Sequence, residues 1–318
     1  MNKNQKTAII GAGITGLYLA WKLSQRGFKV TVFERKKDIG KQSCSGLFSE
    51  RILDFIPESE GLIKNKIRHV LLHFPKKSLK IKFSKTFFVI NHDELDRLVG
   101  LLAEKSGANI VLDSPISSFP EGYDRIIGCD GANSLTRRLL NLKNPQFRLG
   151  IQGFISKKDS SDFVETWPTS SGFLWKIPRG EEIEYGIIEE IDKAKSIFDE
   201  FSEKRKIKFK RMASAMIPQG FIVSSNSRIT LCGDAAGLTK PWSGGGVIWG
   251  LIAADILLKN FPNFLKYKKG IERFFLPRIN FSKLATKSVY FLGFNIPWLL
   301  PKNLKIESDF LFPSKTKN

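Results

Sequence analysis

The chain has 318 residues, of which 42% are apolar, and it can bury a core large enough for one α/β domain with a smaller lobe. It contains no run of about 18 uncharged apolar residues, so the sequence predicts no membrane-spanning helix. The formal net charge of +20 predicts attraction to polyanions, and three cysteines without metal-type spacing indicate neither a disulfide framework nor a bound metal.

The first predicted elements are a strand, a glycine turn, a helix and a second strand. TAII leads into GAGITG, and the helical pattern LYLAWKLSQRG is followed by KVTVFE. Because a short polar start passes directly into a strand, the sequence lacks the long apolar stretch of a signal peptide. We therefore expect a cytoplasmic protein.

The remaining segments predict a discontinuous domain. The helix DELDRLVGLLAEKSG and the strands ANIVLD and DRIIGCDG would extend the same sheet, which SRITLCGD resumes much later. Aromatic and β-branched segments between them indicate an inserted antiparallel sheet. We predict an α/β fold in which a Rossmann-like domain (1–145 and 224–262) carries an antiparallel β-sheet substrate lobe (146–223) and a helical C-terminal segment (263–318). The tail SDFLFPSKTKN is expected to be loose.

The first βαβ unit carries a dinucleotide-binding pattern. Gly11 permits a tight turn, Gly13 lets a pyrophosphate approach the backbone, and Gly16 allows the helix to pack closely on the strand. Glu34, at the end of the second strand, can accept hydrogen bonds from an adenosine ribose and disfavours a 2′-phosphate. The pattern therefore predicts FAD or NAD rather than NADP.

Two downstream motifs favour FAD. GCDGANSLTRR (128–138) and CGDAAG (232–237) resemble the internal DG and GD motifs of the para-hydroxybenzoate hydroxylase superfamily, and in the second of these the aspartate contacts the ribityl chain of FAD. In that superfamily, the glycines after the proline, here Pro241, bring backbone N–H groups to the N1/O2 edge of the flavin. That edge carries negative charge when the flavin is reduced, and donors at a helix start stabilise it.

Two further stretches resemble the geranylgeranyl reductase family. KQSCSGLFSERIL resembles the cysteine–glycine segment beside the flavin in that family, and GFLWKIP resembles its aromatic-x-Trp-x-Phe-Pro signature in the substrate sheet. Ile177 stands where that family usually has Phe. GFLWKIP also resembles the Trp-x-Trp-x-Ile-Pro signature of flavin-dependent halogenases, although no motif here indicates the catalytic lysine of those enzymes.

The resemblance implies a set of site residues, with one departure. Where the family often has an arginine that meets the FAD phosphates, this chain has His92, and Arg97 is the nearby residue that would compensate. The implied catalytic residue is Cys44, which would position substrate or join a route for proton delivery. Implied substrate-binding residues are Phe173, Trp175, Ile177, Pro178 and Trp242. Implied FAD-binding residues are Gly11, Gly13, Thr15, Gly16, Glu34, Arg35, Cys44, Ser45, Gly46, His92, Arg97, Asp130, Gly131, Gly233, Asp234, Gly245, Gly246 and Val247.

The function implied by the resemblance is reduction of isoprenoid double bonds of geranylgeranyl type on a membrane-associated lipid. This reaction needs a hydride, a proton and an apolar slot that excludes water. We expect the C-terminal residues Phe291, Leu292, Phe294, Trp298, Leu299 and Leu300 to line or cap such a slot.

Two other functions stay open: an FAD-dependent monooxygenase or halogenase acting on an aromatic compound, and a non-catalytic electron-transfer flavoprotein. The electron donor is open between NADPH and a ferredoxin-like protein. Lysine-rich stretches at 62–85 and 204–211 predict peripheral contact with an anionic membrane. No nucleic-acid-binding motif occurs, so nucleic acid is not an expected partner.

Overall fold

The computed structural model describes residues 5–40, 43–301 and 303–311. The strands are, in chain order, β1 (Lys6–Ile10), β2 (Lys29–Phe33), β3 (Leu47–Ser49), β4 (Ile63–Phe74), β5 (Lys77–Ile90), β6 (Asn109–Val111), β7 (Arg125–Gly128), β8 (Gln146–Ile155), β9 (Phe163–Pro168), β10 (Phe173–Pro178), β11 (Ile183–Glu189), β12 (Arg211–Gln219), β13 (Ile229–Leu231) and β14 (Asn303–Ile306). The helices are α1 (Ile14–Gln25), α2 (Ile52–Phe55), α3 (His92–Lys105), α4 (Leu135–Leu139), α5 (Ala194–Lys204), α6 (Val247–Asn260) and α7 (Phe264–Asn295). Within these ranges, no helix is both long enough and apolar enough to cross a bilayer.

The first sheet is parallel and has the strand order β13-β7-β1-β2-β6. Its central strands are buried and nearly continuous in apolar residues, as expected where helices cover both faces. Helix α1 packs against α3 and α6, and its residues Leu17 and Leu19 are fully buried in the core. The α/β fold and the late return of the chain through β13 are confirmed.

The second sheet is larger than the inserted block 146–223. Its order is β12-β8-β11-β10-β9-β4-β5-β14, with β3 paired to β5. The long hairpin β4–β5 therefore belongs to the second sheet, although we predicted that these residues are part of the Rossmann-like domain. Most pairs are antiparallel, whereas β4 with β9 and β5 with β14 are parallel.

The C-terminal segment is mainly one long helix, α7, which has Pro277 inside it and is followed by Pro297. The expectation of a loose tail is wrong for residues 308–311. Asp309 is fully buried and accepts hydrogen bonds from Ser49 (2.6 Å), Arg51 (2.8 Å) and Lys240 (2.9 Å). These charge-assisted contacts hold the tail against the folded protein. The other residues of the tail that we expected to be loose, 312–318, lie outside the described ranges.

Candidate flavin and substrate site

The glycine loop after β1 and the loop after β13 meet. Thr15, at the start of α1, is packed so closely that a Cβ added to Gly233 or Gly250 would lie 2.7 Å from its hydroxyl oxygen. The glycine loop is thus in direct contact with the residue that precedes Asp234. Two segments more than 200 residues apart in the chain therefore form one wall, and a single dinucleotide can reach both.

The three glycines of the first loop have different surroundings. A Cβ on Gly11, whose φ is +102°, would lie 2.5 Å from the Cys129 carbonyl oxygen, and one on Gly16 would lie 2.1 Å from the Gly11 carbonyl oxygen. Around Gly13, in contrast, no described atom lies within 4 Å of that position. Gly11 and Gly16 are therefore required for packing, whereas Gly13 faces open space at the N-terminus of α1. This is the arrangement that an incoming diphosphate needs.

Glu34 lies at the carboxyl end of β2 and faces the same loop. Its carboxylate accepts hydrogen bonds from the backbone N–H groups of Ala12 (2.7 Å) and Lys36 (3.0 Å). The carboxylate is thereby fixed beside the glycine turn, where the spacing predicts a ribose. Arg35, the next residue, is exposed.

The DG motif connects the first loop to the second. Asp130 accepts hydrogen bonds from Ser134 and Thr136 and so fixes the start of α4. Arg137 on that helix is almost completely buried and donates to the Ala235 carbonyl oxygen at 2.9 Å. The Asp130 carboxylate is thus engaged within its own motif, while Gly131 has positive φ and no described atom where a Cβ would be placed.

The glycine-rich turn before α6 lies directly against Asp234. A Cβ on Gly246 would lie 2.7 Å from the Asp234 carboxylate oxygen, so a side chain there would displace it. Gly245 is exposed, and the Lys240 ammonium is 3.4 Å from the position of its missing Cβ. Val247 begins the helix. The Nε1 of Trp242 is buried and has no hydrogen-bond partner among the described residues, which leaves a donor available to a ligand.

The Cys44 segment is packed beside α3. The Sγ of Cys44 accepts the Gly46 N–H at 3.5 Å and interacts with the buried ring of His92. His92 Nε2 lies 3.3 Å from a carboxylate oxygen of Asp96. Burial opposes the charged ring, but Asp96 and Cys44 outweigh it and raise the pKa of His92 to about 10. His92 is therefore an imidazolium at neutral pH, so it keeps the positive charge of the arginine expected at this position.

The predicted substrate strand, β10, is connected to the Cys44 segment through two residues that the sequence analysis missed. The indole of Trp175 lies over Gly186, where a Cβ would come within 2.2 Å of the ring, and its Nε1 donates to Glu184 at 2.9 Å. Arg179 then joins Glu184 (2.9 Å) to Asn91 and to the Ser45 carbonyl oxygen. Burial raises the pKa of Glu184 to about 7, despite Arg179 and Trp175, and Cys44 adds to the rise.

A sequence signal for these two residues did exist. Arg179 directly follows the FLWKIP signature, and Glu184 is an acid within a mainly apolar strand, a placement that requires a partner when the side chain is buried. Ile177 and Pro178 are buried, and Phe173 lies with its ring 5.9 Å from that of Trp175. Phe173, Trp175, Ile177 and Pro178 therefore share one strand, β10.

Several predicted residues lie elsewhere. Arg97 is half exposed and pairs with Asp93 at 3.0 Å, beside the loop that leads to Cys44. The C-terminal apolar residues do not line an enclosed slot. Leu292 and Leu300 pack with the apolar side chains of the β4–β5 hairpin. Phe291, Phe294, Trp298 and Leu299 are exposed on the surface, because the buried face of α7 is formed by other positions.

Comparison with known proteins agrees with this geometry. Residues 9–54 match the family model of the NAD(P)-binding Rossmann-like domain. The chain is 23% identical to the digeranylgeranylglycerophospholipid reductase of Methanococcus vannielii, over 83% of this chain and 79% of that protein. A solved geranylgeranyl bacteriochlorophyll reductase-like structure from Thermoplasma acidophilum superposes with a TM-score of 0.79 at 19% identity, covering 90% of this chain and 88% of the other.

The chain is an FAD-dependent oxidoreductase that is similar to geranylgeranyl reductases. It is also 26% identical to the kynurenine 3-monooxygenase of Christiangramia forsetii, over 81% of this chain and 72% of that protein. The flavoprotein fold of this reductase-like chain is therefore shared with enzymes of different chemistry, and the substrate must be argued from the site.

Proposed function

We propose that this FAD oxidoreductase saturates isoprenoid double bonds of a membrane-associated lipid. The observation that carries the proposal is the hydrogen-bonded path from Trp175 through Glu184 and Arg179 to Ser45. It joins the two stretches that resemble geranylgeranyl reductases, which are far apart in the chain. The similarity to the reductase of Methanococcus vannielii supports the same substrate class.

In this proposal, the two converging loops hold the cofactor. Gly13 and the N-terminus of α1 would bind the diphosphate, Glu34 the ribose, and Asp234 the ribityl chain. Gly245, Gly246 and Val247 would present backbone N–H groups to the pyrimidine edge of the flavin. FAD would supply the hydride, which is chemistry that no side chain of the protein can provide.

The second requirement is a proton for the other carbon of the double bond. Cys44 Sγ is the proposed donor, because its neighbour Ser45 is hydrogen-bonded to Arg179 at the end of β10 and because Cys44 itself interacts with two titratable residues, His92 and Glu184. His92 holds a proton at neutral pH through Asp96, and Glu184 holds one for part of the time. Either group can restore the proton to Cys44 after transfer. The apolar side chains Phe173, Trp175 and Ile177 would exclude water from the reacting carbons.

The test is an anaerobic reaction of the chemically reduced protein with a geranylgeranyl lipid in detergent. In the wild type, we expect the lipid to reoxidise the flavin, which is measured as recovery of the absorbance of oxidised flavin. Reoxidation should be at least about 100-fold slower in Cys44→Ala, which removes a general acid. Because Cys44 is also an implied FAD-binding residue, the rates are compared at saturating FAD, so that a weaker affinity cannot account for the loss. No reoxidation by the lipid in the wild type would refute the proposal.

A monooxygenase acting on an aromatic compound is the second candidate, favoured by the similarity to kynurenine 3-monooxygenase. The same experiment separates the two. A monooxygenase would leave the reduced flavin unchanged under anaerobic conditions and would require oxygen together with an aromatic substrate. An electron-transfer flavoprotein would be reoxidised by a quinone or protein partner and would leave the lipid unmodified.

A further inference from the structure

An apolar stripe lies exposed along the second half of α7 and the turn after it. Phe281, Leu284 and Phe291 share one helical face, and Trp298 and Leu299 continue the stripe beyond the end of the helix. Their exposed fractions are 49, 66, 62, 70 and 61%. Single exposed apolar residues need no explanation, but a contiguous group of this size marks an interaction surface.

The stripe does not result from a loosely attached helix. The opposite face of α7 is buried in the main core through Ile271, Phe275 and Ile279. Near its end, Gly293 lies so close to the ring of Phe74 that a Cβ would approach it to 2.1 Å. The helix is thus held on both halves, and its outward face is a fixed feature of the surface.

The charges around the stripe are of one sign. No Asp or Glu occurs between Glu272 and Glu307, while Lys283 and Lys287 are exposed one turn apart beside the stripe. The turn of the β4–β5 hairpin adds Lys76, and the hairpin contacts the end of α7 through the rings of Phe74 and Phe294, whose centroids are 5.4 Å apart. Among the described residues, these three lysines form no ion pair with a carboxylate.

We infer that the stripe and its flanking lysines, which we name the α7 surface, dock the protein on an anionic lipid bilayer. Aromatic and aliphatic side chains would enter the boundary between headgroups and acyl chains, and the lysines would meet lipid phosphates. A second copy of the chain fits less well, because a two-fold contact brings each surface against itself and would set lysine against lysine. A bilayer complements both the apolar and the charged parts.

The α7 surface adjoins the substrate strand. The hydroxyl of Tyr290 donates to the Gly172 carbonyl oxygen at 2.6 Å, one residue before Phe173. Docking through this surface would therefore bring β10 close to the membrane in which an isoprenoid lipid resides. The inference extends the proposed function by naming the membrane-facing surface, yet it does not depend on the reaction, since vesicle binding needs no turnover.

The experiment is co-sedimentation of the FAD-loaded full chain with vesicles of phosphatidylcholine alone or mixed with phosphatidylglycerol. We expect binding to the mixed vesicles that weakens with added salt. In Lys283→Gln/Lys287→Gln, the partition coefficient should fall about 25-fold, because each lysine near an anionic surface contributes about fivefold. In Phe291→Ser/Trp298→Ser it should fall about tenfold or more, through loss of buried apolar area.

Matched controls use exposed residues outside the α7 surface. Leu265→Ser and Lys266→Gln/Lys269→Gln, both at the other end of α7, should bind as the wild type does. Equal losses in these controls would overturn the assignment of the surface. A wild-type protein that does not bind anionic vesicles would also overturn it, as would a dimer that dissociates in Phe291→Ser/Trp298→Ser. A chain that binds vesicles but never reduces a lipid would refute the proposed reaction alone.

Discussion

The substitution Gly13→Ala separates cofactor binding from folding in this protein. Gly13 has φ −87° and ψ 174°, a conformation that alanine adopts without strain, and no described atom lies within 4 Å of the new methyl group. The free energy of unfolding of the apoprotein should therefore change by less than about 1 kcal/mol. The methyl group would, however, occupy the space through which a diphosphate reaches the backbone N–H groups. Loss of one charge-assisted hydrogen bond costs about 2 kcal/mol, or about a 30-fold rise in the Kd for FAD.

Gly16→Ala provides the contrast within the same loop. Its methyl group would lie 2.1 Å from the Gly11 carbonyl oxygen, a backbone atom that cannot move aside. We expect the apoprotein to lose about 1–3 kcal/mol or more of stability. Urea unfolding of the apoprotein and titration with FAD, followed by flavin fluorescence, measure the two effects separately. Wild-type FAD affinity in Gly13→Ala, or a large loss of apoprotein stability, would refute the assignment of this loop to the diphosphate.

Three further predictions concern the buried ionisable groups. Because the pKa of Glu184 is raised to about 7, its protonated carboxyl stabilises the fold at pH values below the ordinary pKa of 4.5, and this stabilisation is lost as the pH rises to about 7. Relative to Glu184→Gln, the wild type should therefore lose about 3 kcal/mol of unfolding free energy over that range. Parallel pH profiles of the two proteins would contradict this prediction. Because the Cys44 Sγ interacts with the buried His92 ring, His92→Asn should change the rate at which iodoacetamide alkylates Cys44 by about tenfold at neutral pH, and an unchanged rate would exclude the contact. Asp309→Asn leaves the buried Lys240 ammonium without its carboxylate partner and should cost about 3 kcal/mol in urea unfolding, whereas Asp199→Asn, in an exposed ion pair, should cost less than about 1 kcal/mol.

The sequence predicted those features that depend on local spacing. The first strand–turn–helix unit is defined by the spacing of Gly11, Gly13 and Gly16, which does not depend on the rest of the chain. Asp234 belongs to an equally local motif. The path from Trp175 to Ser45 depends on long-range pairing, because Glu184 reaches Trp175 only through the β10–β11 register. The same reason applies to the β4–β5 hairpin, whose place in the second sheet is set by its pairing with β9.

The C-terminal region differed most from the predictions, because its composition alone indicated a loose tail and an apolar slot. A short polar tail is typical of a loose end, yet Asp309 is held by the hydroxyl of Ser49 and by two cations, Arg51 and Lys240. Apolar residues such as Phe291 and Trp298 are typical of a slot, yet the helix presents them outward. Which face of a helix is buried depends on its tertiary partners, and no pattern within α7 distinguishes them.

The most direct test of the proposed function is mass spectrometry of a geranylgeranyl lipid after incubation with the chemically reduced, FAD-loaded protein without oxygen. We expect products heavier by two hydrogens for each double bond reduced, and both of these should derive from solvent when the reaction is run in deuterium oxide, because the hydrogen on N5 of a reduced flavin exchanges with water. Their yield should fall strongly in Cys44→Ala. A flavin that is bound and fully reduced, but leaves the mass of the lipid unchanged, would contradict the account.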